Sequence, residues 1–165
     1  MSAVYDQIPV LSTTATGGTT LSAFHEALVT VDLGFYNLVR LSSVIPPGTA
    51  VDATGKAPVP AGTWGDRMYC VYAERSATRF GEQAWAGIGW VQRHGGGGGL
   101  FVEHDAGSER HVVDAIRTSL RDLVRGREDE FGAPDWVITG GLCTGTPICA
   151  LVIAPYETAS WAGAR

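Results

Sequence analysis

The segment 37–47, Asn-Leu-Val-Arg-Leu-Ser-Ser-Val-Ile-Pro-Pro, constrains the fold of this chain more than any other part of the sequence. Apolar residues alternate over 35–44 and predict a strand. The Pro-Pro pair at 46–47 ends that strand, because proline cannot donate to a sheet ladder. Ser42 and Ser43 stand near its end, where buried hydroxyls need hydrogen-bond partners. Such a pair packs poorly, but it is a good location for a peptide bond that cleaves itself.

Elsewhere the sequence predicts two principal helices separated by strands. Apolar residues at helical spacing predict helices over Thr20–Leu33 and Ser108–Val124. Shorter apolar or alternating runs predict strands over Gln7–Thr13, Arg67–Ser76, Ala84–Arg93, Leu100–His104, Asp135–Thr139 and Ile148–Pro155. This order predicts one α+β domain over 1–165, with helices packed on antiparallel or mixed sheets.

Local signals predict the ends of the first helix and the character of two loops. Thr19 or Thr20 is expected to cap the helix at its start, and Gly34 to end it in the left-handed conformation. The segment 51–65 is rich in Gly, Pro, Ala and Thr and predicts a long surface loop. The five glycines at 95–99 lack the Lys-Ser/Thr of a phosphate-binding loop. They predict a flexible loop that could close over a site.

The composition predicts a folded protein with part of its surface covered by another subunit. Of 165 residues, 45% are hydrophobic and only 18% are charged. The net charge is −5 and no Lys/Arg cluster is present, so the sequence does not predict a nucleic-acid-binding surface. No apolar run approaches the roughly 18 residues of a membrane helix, and no leader is recognisable. Three cysteines without a CxxC pair favour reduced thiols in a cytoplasmic protein and argue against a metal site.

The serine segment and the helix that precedes it resemble one known family. The stretch Gly17–Leu28 leads into the pattern Asn-Leu-x-Arg-x-Ser-Ser-x-x-Pro-Pro, and together they resemble the start of the pyruvoyl-dependent arginine decarboxylases. The resemblance implies a layered αββα sandwich, and trimers or larger homo-oligomers with sites between neighbouring subunits. It also implies a pyruvoyl cofactor derived from Ser43, conversion of arginine to agmatine and carbon dioxide, and no pyridoxal phosphate.

Cleavage at the serine pair would proceed by an acyl shift. The Ser43 hydroxyl attacks the Ser42 carbonyl, the ester eliminates to dehydroalanine, and hydrolysis leaves ammonia and a pyruvoyl group. The products are fragments 1–42 and 43–165. A strained turn and donors aimed at the Ser42 carbonyl would favour this chemistry. The resulting ketone can condense with a substrate amine and accept the electrons released as carbon dioxide leaves.

The resemblance assigns further site residues. Asn37 lies at even spacing from Ser43, so that on one strand both side chains would point to one face; the family has its active-site asparagine there. Glu103, in a Gly-Leu-x-x-Glu context, would be the catalytic proton donor, which requires burial and a raised pKa. The substrate-binding residues are expected to be His25, Gly34 and Tyr36. His25 stands where the arginine enzymes have an acidic residue that helps to hold the guanidinium.

Alternatives to arginine decarboxylation remain at this stage. The substrate could be another amino acid of specialised metabolism, because His25 pairs poorly with a cation. The chain could instead be an uncleaved paralogue with a structural or regulatory role. A serine hydrolase is disfavoured, since no Gly-x-Ser-x-Gly motif surrounds the serines. His94, His104 and His111 are interpreted as solvated, and the five tryptophans as core or interface residues.

Overall fold

Two α-helices and ten β-strands make up residues 7–161, the part of the chain that this computed structural model describes. The helices are α1 (Thr20–Thr30) and α2 (Glu109–Leu123). The strands are β1 (Gln7–Pro9), β2 (Leu11–Thr16), β3 (Asn37–Arg40), β4 (Val44–Ile45), β5 (Ala50–Asp52), β6 (Arg67–Ala77), β7 (Gln83–Gln92), β8 (Gly99–Ala106), β9 (Asp135–Leu142) and β10 (Ile148–Ala159).

Two four-stranded sheets pack face to face between the two helices. The first sheet has the order β2-β10-β6-β3 and the second the order β4-β8-β7-β9. Nearly every pairing in them is antiparallel; β3 with β6 is parallel. Helix α1 packs on the outer face of the first sheet and α2 on that of the second. The predicted α+β class with two principal helices in αββα layers is therefore confirmed.

The apolar core between the sheets explains which strand positions point inwards. Side chains from both sheets meet there and exclude water, which is the dominant favourable term in folding. Its members include Val71, Ala73, Ile88, Phe101, Ala150 and Val152, all buried. A smaller core of α1 residues against the first sheet, and another of α2 residues against the second, complete the layers.

The single strand predicted over 35–44 is wrong, because the chain changes sheets within it. Strand β3 pairs with β6 in the first sheet, whereas β4 pairs with β8 in the second. The apolar alternation continues across the break because Leu41 and Ile45 both pack into the core between the sheets. A strand and a crossing between two facing sheets therefore give the same sequence pattern here.

Helix α1 differs from its prediction at its end and on one face. Thr19 caps it as predicted: its side chain accepts from the Ser22 N–H (3.0 Å) and its own N–H donates to Ser22 Oγ (2.9 Å). The helix stops at Thr30, and the left-handed residue after it is Asp32 (φ 60°) rather than Gly34. Gly34 is needed for space instead, since a Cβ there would lie 2.6 Å from Val29 Cγ2.

The predicted surface loop over 51–65 is present beyond β5, and specific contacts hold both it and the glycine segment. At the start of the segment 51–65, β5 pairs in parallel with β1. The Asp52 carboxylate then organises the turn that follows, where hydrogen bonds led by the Thr54 hydroxyl lower the pKa of Asp52 to about 2. The glycines at 95–99 form a tight connection instead of an open loop. Gly98 has φ +87°, and a Cβ on it would lie 2.5 Å from the Ile45 carbonyl oxygen.

Candidate active site

Ser42 and Ser43 lie where the chain crosses from the edge of one sheet to the edge of the other. On one side of them the Leu41 N–H donates to the Cys70 carbonyl of β6 (2.9 Å). On the other side the Phe101 N–H of β8 donates to the Ser43 carbonyl (2.8 Å). The serine pair therefore spans the gap between two sheets, with the backbone fixed at both ends.

The backbone of Ser43 is strained. Its φ is +74°, in the left-handed region where a residue with a Cβ costs roughly 1–2 kcal/mol. Strain of this kind persists only where the surroundings impose it, and here the two sheet edges do so. The expected strained turn is thus present at the serine pair. The expected donors to the Ser42 carbonyl are not found among residues 7–161.

Glu103 binds the Ser43 hydroxyl. Ser43 Oγ lies 2.7 Å from Oε1 and 2.9 Å from Oε2 of Glu103, with the hydroxyl donating to the carboxylate. Glu103 follows Phe101 by two residues on β8, so the strand that anchors the Ser43 carbonyl also presents the carboxylate to its hydroxyl. The arrangement pairs a serine nucleophile with a carboxylate that can accept its proton.

Burial raises the pKa of Glu103, as the proton-donor role requires. The hydrogen bond from Ser43 opposes this shift, and so do the charge of Arg40 and the backbone N–H of Glu103 itself. Burial also raises the pKa of the neighbouring Tyr156, and the negative charge of Glu103 adds to that shift. The pKa of Glu103 therefore depends on the hydrogen bonds and the positive charge that its immediate neighbours supply.

Arg40 and Tyr156 complete the surroundings of Ser43, and sequence reasoning missed both. The Arg40 guanidinium lies 4.2 Å from the ring centroid of Tyr72 and donates to the Tyr72 carbonyl. The Tyr156 hydroxyl donates to the Val44 carbonyl (3.1 Å). Arg40 lies inside the segment 37–47, so its position three residues before Ser43 was an available signal. Tyr156 is 112 residues from its partner, and no local pattern indicates it.

A sequence profile of the pyruvoyl-dependent arginine decarboxylases matches residues 7–155 of this chain, which includes every element described above except the end of β10. The chain belongs to this family. The crossing at Ser42-Ser43 and the Ser43–Glu103 pair therefore lie within the matched region.

Three pyruvoyl-dependent arginine decarboxylases are similar in sequence to this chain. The pyruvoyl-dependent arginine decarboxylase of Pyrococcus horikoshii is 31% identical over 153 residues, 89% of this chain and 94% of that protein. The one from Thermococcus sibiricus is 32% identical over 154 residues, with the same coverage. The Halobacterium salinarum protein is 33% identical over 102 residues, and the match spans only 62% of its length.

A solved pyruvoyl-dependent histidine decarboxylase is a distant structural neighbour. Its TM-score with this chain is 0.41 at 16% sequence identity, and the superposition covers 64% of this chain and 54% of the other. A similarity of this size does not establish any residue of the site.

Within one chain the other predicted site residues lie away from Ser43. The Asn37 Nδ2 donates to the Gly65 carbonyl (2.7 Å) at the far end of β3. The expectation that Asn37 and Ser43 share a strand face is wrong, because β3 ends at Arg40 and the chain turns at Ser43. The even spacing between Asn37 and Ser43 therefore does not indicate which way their side chains point.

The three predicted substrate-binding residues are also separate from the serine in a single chain. His25 is exposed on α1, and no hydrogen bond of the described chain joins it to Ser43 or Glu103. Gly34 packs against Val29. The Tyr36 hydroxyl donates to the Pro60 carbonyl (3.1 Å), and its ring contacts Phe35.

His104 differs from its prediction. It is half-buried on the face of β8 opposite to Glu103, and its Nε2 lies 2.8 Å from Ser119 Oγ on α2. Burial lowers its pKa. His94 and His111 are exposed, as predicted. Across 7–161 no cluster of His, Cys, Asp or Glu could hold a metal ion, and no helix is long and apolar enough to cross a membrane.

Proposed function

We propose that this chain is a pyruvoyl-dependent amino-acid decarboxylase that matures by cleavage between Ser42 and Ser43. The observation that carries the proposal is the hydrogen bond from the Ser43 hydroxyl to both oxygens of Glu103 (2.7 and 2.9 Å). It places a nucleophile and a proton acceptor together at a strained backbone position between two sheets. Membership of the family supports the same chemistry.

Cleavage needs no atom from outside the chain except water. Ser43 Oγ bonds to the Ser42 carbonyl carbon, the C–N bond breaks, and the hydroxyl proton passes to the freed nitrogen. Residue 43 then loses its α proton and its Cβ–Oγ bond, so the oxygen leaves as part of the Ser42 carboxylate. Water finally replaces the nitrogen, which departs as ammonia.

The residues around position 43 suit a pyruvoyl group formed there. The group supplies a carbonyl that takes the substrate's amino group and accepts electrons as carbon dioxide leaves. The Phe101 N–H, which binds the carbonyl of Ser43 in the uncleaved chain, would hold the same carbonyl afterwards, because the peptide bond to Val44 remains intact. The Tyr156 hydroxyl holds the next carbonyl along the chain. Glu103 stands beside the reacting position and can deliver the proton that ends the reaction.

Arginine is the proposed substrate, and the product is agmatine. The named relatives are arginine decarboxylases, which supports this choice over a different amino acid. His25 weakens it, because an imidazole at the position where the family has an acidic residue attracts a guanidinium poorly. Asn37, Gly34 and Tyr36 remain proposed site residues in the complete enzyme, although none contacts Ser43 within one chain.

His25→Asp should increase the rate of arginine decarboxylation, because a carboxylate can pair with the guanidinium of the substrate. The measurement is release of carbon dioxide from carboxyl-labelled arginine, as kcat/KM. His25→Asn is the matched control: it has the size of aspartate without the charge and should give no gain. Equal rates for the two variants would mean that selectivity is set elsewhere.

The proposed function is tested by the intact mass of the denatured protein followed by a substrate screen. Two fragments divided between Ser42 and Ser43, the larger without a free amino terminus, are expected. A single species near 17.4 kDa without decarboxylase activity would instead support an uncleaved paralogue. Carbon dioxide release across a set of amino acids then identifies the substrate.

We propose further that the active enzyme is a homotrimer or a multiple of it, with each site between neighbouring subunits. Beyond β3 and β4, the edges of β6 and β8 next to Glu103 pair with no other strand of the described chain. Val44, directly after the proposed cofactor, is 58% exposed. A site that must exclude water needs a cover there.

Light scattering on the purified protein should therefore give a mass of three protomers or a multiple of three. The cleavage-deficient Ser43→Ala variant should assemble in the same way, because the edges exist before cleavage. A monomer that is fully active would contradict the proposal.

A cytoplasmic location is proposed because all three cysteines are buried free thiols.

A further inference from the structure

We propose that cleavage itself converts Glu103 from a proton acceptor into a proton donor, because it removes the hydroxyl that holds the Glu103 carboxylate. The inference rests on the proposed function, since it requires Ser43 to be the residue that cleaves. It adds that the two chemical steps share one carboxyl in two protonation states.

The hydrogen bond to Glu103 cannot survive maturation. During cleavage the Ser43 oxygen transfers to the Ser42 carbonyl carbon, and its proton passes through Glu103 to the departing nitrogen. During elimination the same oxygen leaves residue 43 as part of the new Ser42 carboxylate, and the α proton is lost to solvent. Residue 43 therefore ends without a hydroxyl, and both contacts to Glu103, at 2.7 and 2.9 Å, disappear.

Loss of the Ser43 hydroxyl raises the pKa of Glu103. Burial raises its pKa, and the strongest opposing influence is the Ser43 hydroxyl, followed by Arg40. Once the hydroxyl is gone, burial is opposed less and the pKa of Glu103 rises. The Ser42 carboxylate formed beside it is a second negative charge, which acts in the same direction.

The other charged and titratable groups around Glu103 lie on β3, β6, β8 and β10, whereas the residue of β7 that pairs with Glu103 is the apolar Ile88. They are Arg40 on β3, Cys70 and Arg75 on β6, Asp105 on β8 and Tyr156 on β10. Arg75 is paired with Asp105 at 2.9 Å, so their charges largely cancel. Burial raises the pKa of Cys70 to about 12 and also raises that of Tyr156, so both stay neutral near pH 7. Cleavage leaves each of these groups chemically unchanged, whereas it removes the Ser43 hydroxyl.

The order of the two pKa values decides whether both reactions can run at one pH. Cleavage needs the ionised carboxyl, so its rate rises with pH through the pKa of the precursor and then levels off. Decarboxylation needs the protonated carboxyl, so its rate falls as pH rises through the pKa of the mature enzyme. Both proceed at full rate only in an interval above the first value and below the second. A rise on maturation opens that interval.

The test compares the two pH profiles and one titration that does not depend on activity. Freshly translated chain is transferred to buffers from acid to alkaline pH, and the cleaved fraction is followed by intact mass. Carbon dioxide release by the mature enzyme gives the second profile. Carboxyl-labelled glutamate NMR then gives the pKa of Glu103 in Ser43→Ala, which lacks the hydroxyl and keeps the chain whole, with Glu103→Gln identifying the signal.

We expect the decarboxylation limb and the Glu103 titration of Ser43→Ala to lie at higher pH than the cleavage limb. Coinciding values would overturn the switch while leaving cleavage and the proposed function intact. A wild-type chain that never cleaves would overturn both, and is recognised by its single mass. Arg40→Gln supplies a further check: it removes a cation present before and after cleavage, so both limbs should move to higher pH together and keep their order.

Discussion

Replacing Ser43 with alanine should leave the chain as one species and reduce decarboxylation to background. Alanine has no hydroxyl to attack the Ser42 carbonyl, so neither the ester nor the cofactor can form. The fold should persist, because β4 pairing and the Phe101 N–H to the residue 43 carbonyl involve only backbone. Intact mass and carbon dioxide release are the two measurements.

The matched control for that variant is Ser42→Ala. It keeps the Ser43 nucleophile, the hydrogen bond to Glu103 and the carbonyl that is attacked, so cleavage should continue. Circular dichroism on both variants establishes that they fold alike. Decarboxylase activity in Ser43→Ala would remove the pyruvoyl mechanism, whatever the behaviour of the control.

Glu103→Gln should slow both cleavage and decarboxylation. A proton donor alone would leave cleavage unaffected, but the hydrogen bond from Ser43 makes the carboxylate the acceptor of its proton as well. General acid–base catalysis contributes about 10²- to 10⁴-fold, and losses in that range are expected in each step. Glutamine keeps the size of the side chain and can still accept from Ser43, so the fold is preserved.

Asp105→Asn is the control for Glu103→Gln. Asp105 lies two residues further along β8 on the same face, bound to Arg75, and it has no contact with Ser43. At a pH where the Glu103 carboxyl is ionised in both chains, so that the unpaired charge of Arg75 no longer affects its protonation, the replacement should leave the cleavage rate close to that of the wild type. Cleavage at the wild-type rate in Glu103→Gln would confine Glu103 to proton donation, and the switch inferred above would fail with it.

Periodicity predicted the layers of this fold, but it could not predict the crossing. Helix α2 follows its apolar stripe closely, with Val112, Ile116 and Leu120 buried. In α1 the same pattern predicts that Leu21 is buried, but Leu21 is 75% exposed. Ala23 and Ala27 fill the contact with the sheet instead. Helical spacing identifies a face, but the distance to the sheet decides which side chains fit it.

The Ser43–Glu103 contact was predictable only through the family resemblance. The two residues are 60 positions apart, and they meet because the chain leaves β3 for a strand of the opposite sheet. The alternation predicts one strand over 35–44, on which the side chains of Asn37 and Ser43 would point to the same face. Tyr156 and Arg40 act through a carbonyl and through charge, which leave no spacing signal in a single sequence.

The position of the crossing also determines what kind of molecule remains after cleavage. The cut removes the covalent joint between β3 and β4 at a point where neither sheet has a ladder bond to lose. The short fragment keeps β2 against β10 and β3 against β6, and α1 stays buried on the first sheet. If the chain is cleaved as proposed, the mature protomer is a complex of two polypeptides whose unfolding releases separate chains. We expect its melting temperature to rise with protein concentration, whereas the melting temperature of a single uncleaved protomer would not.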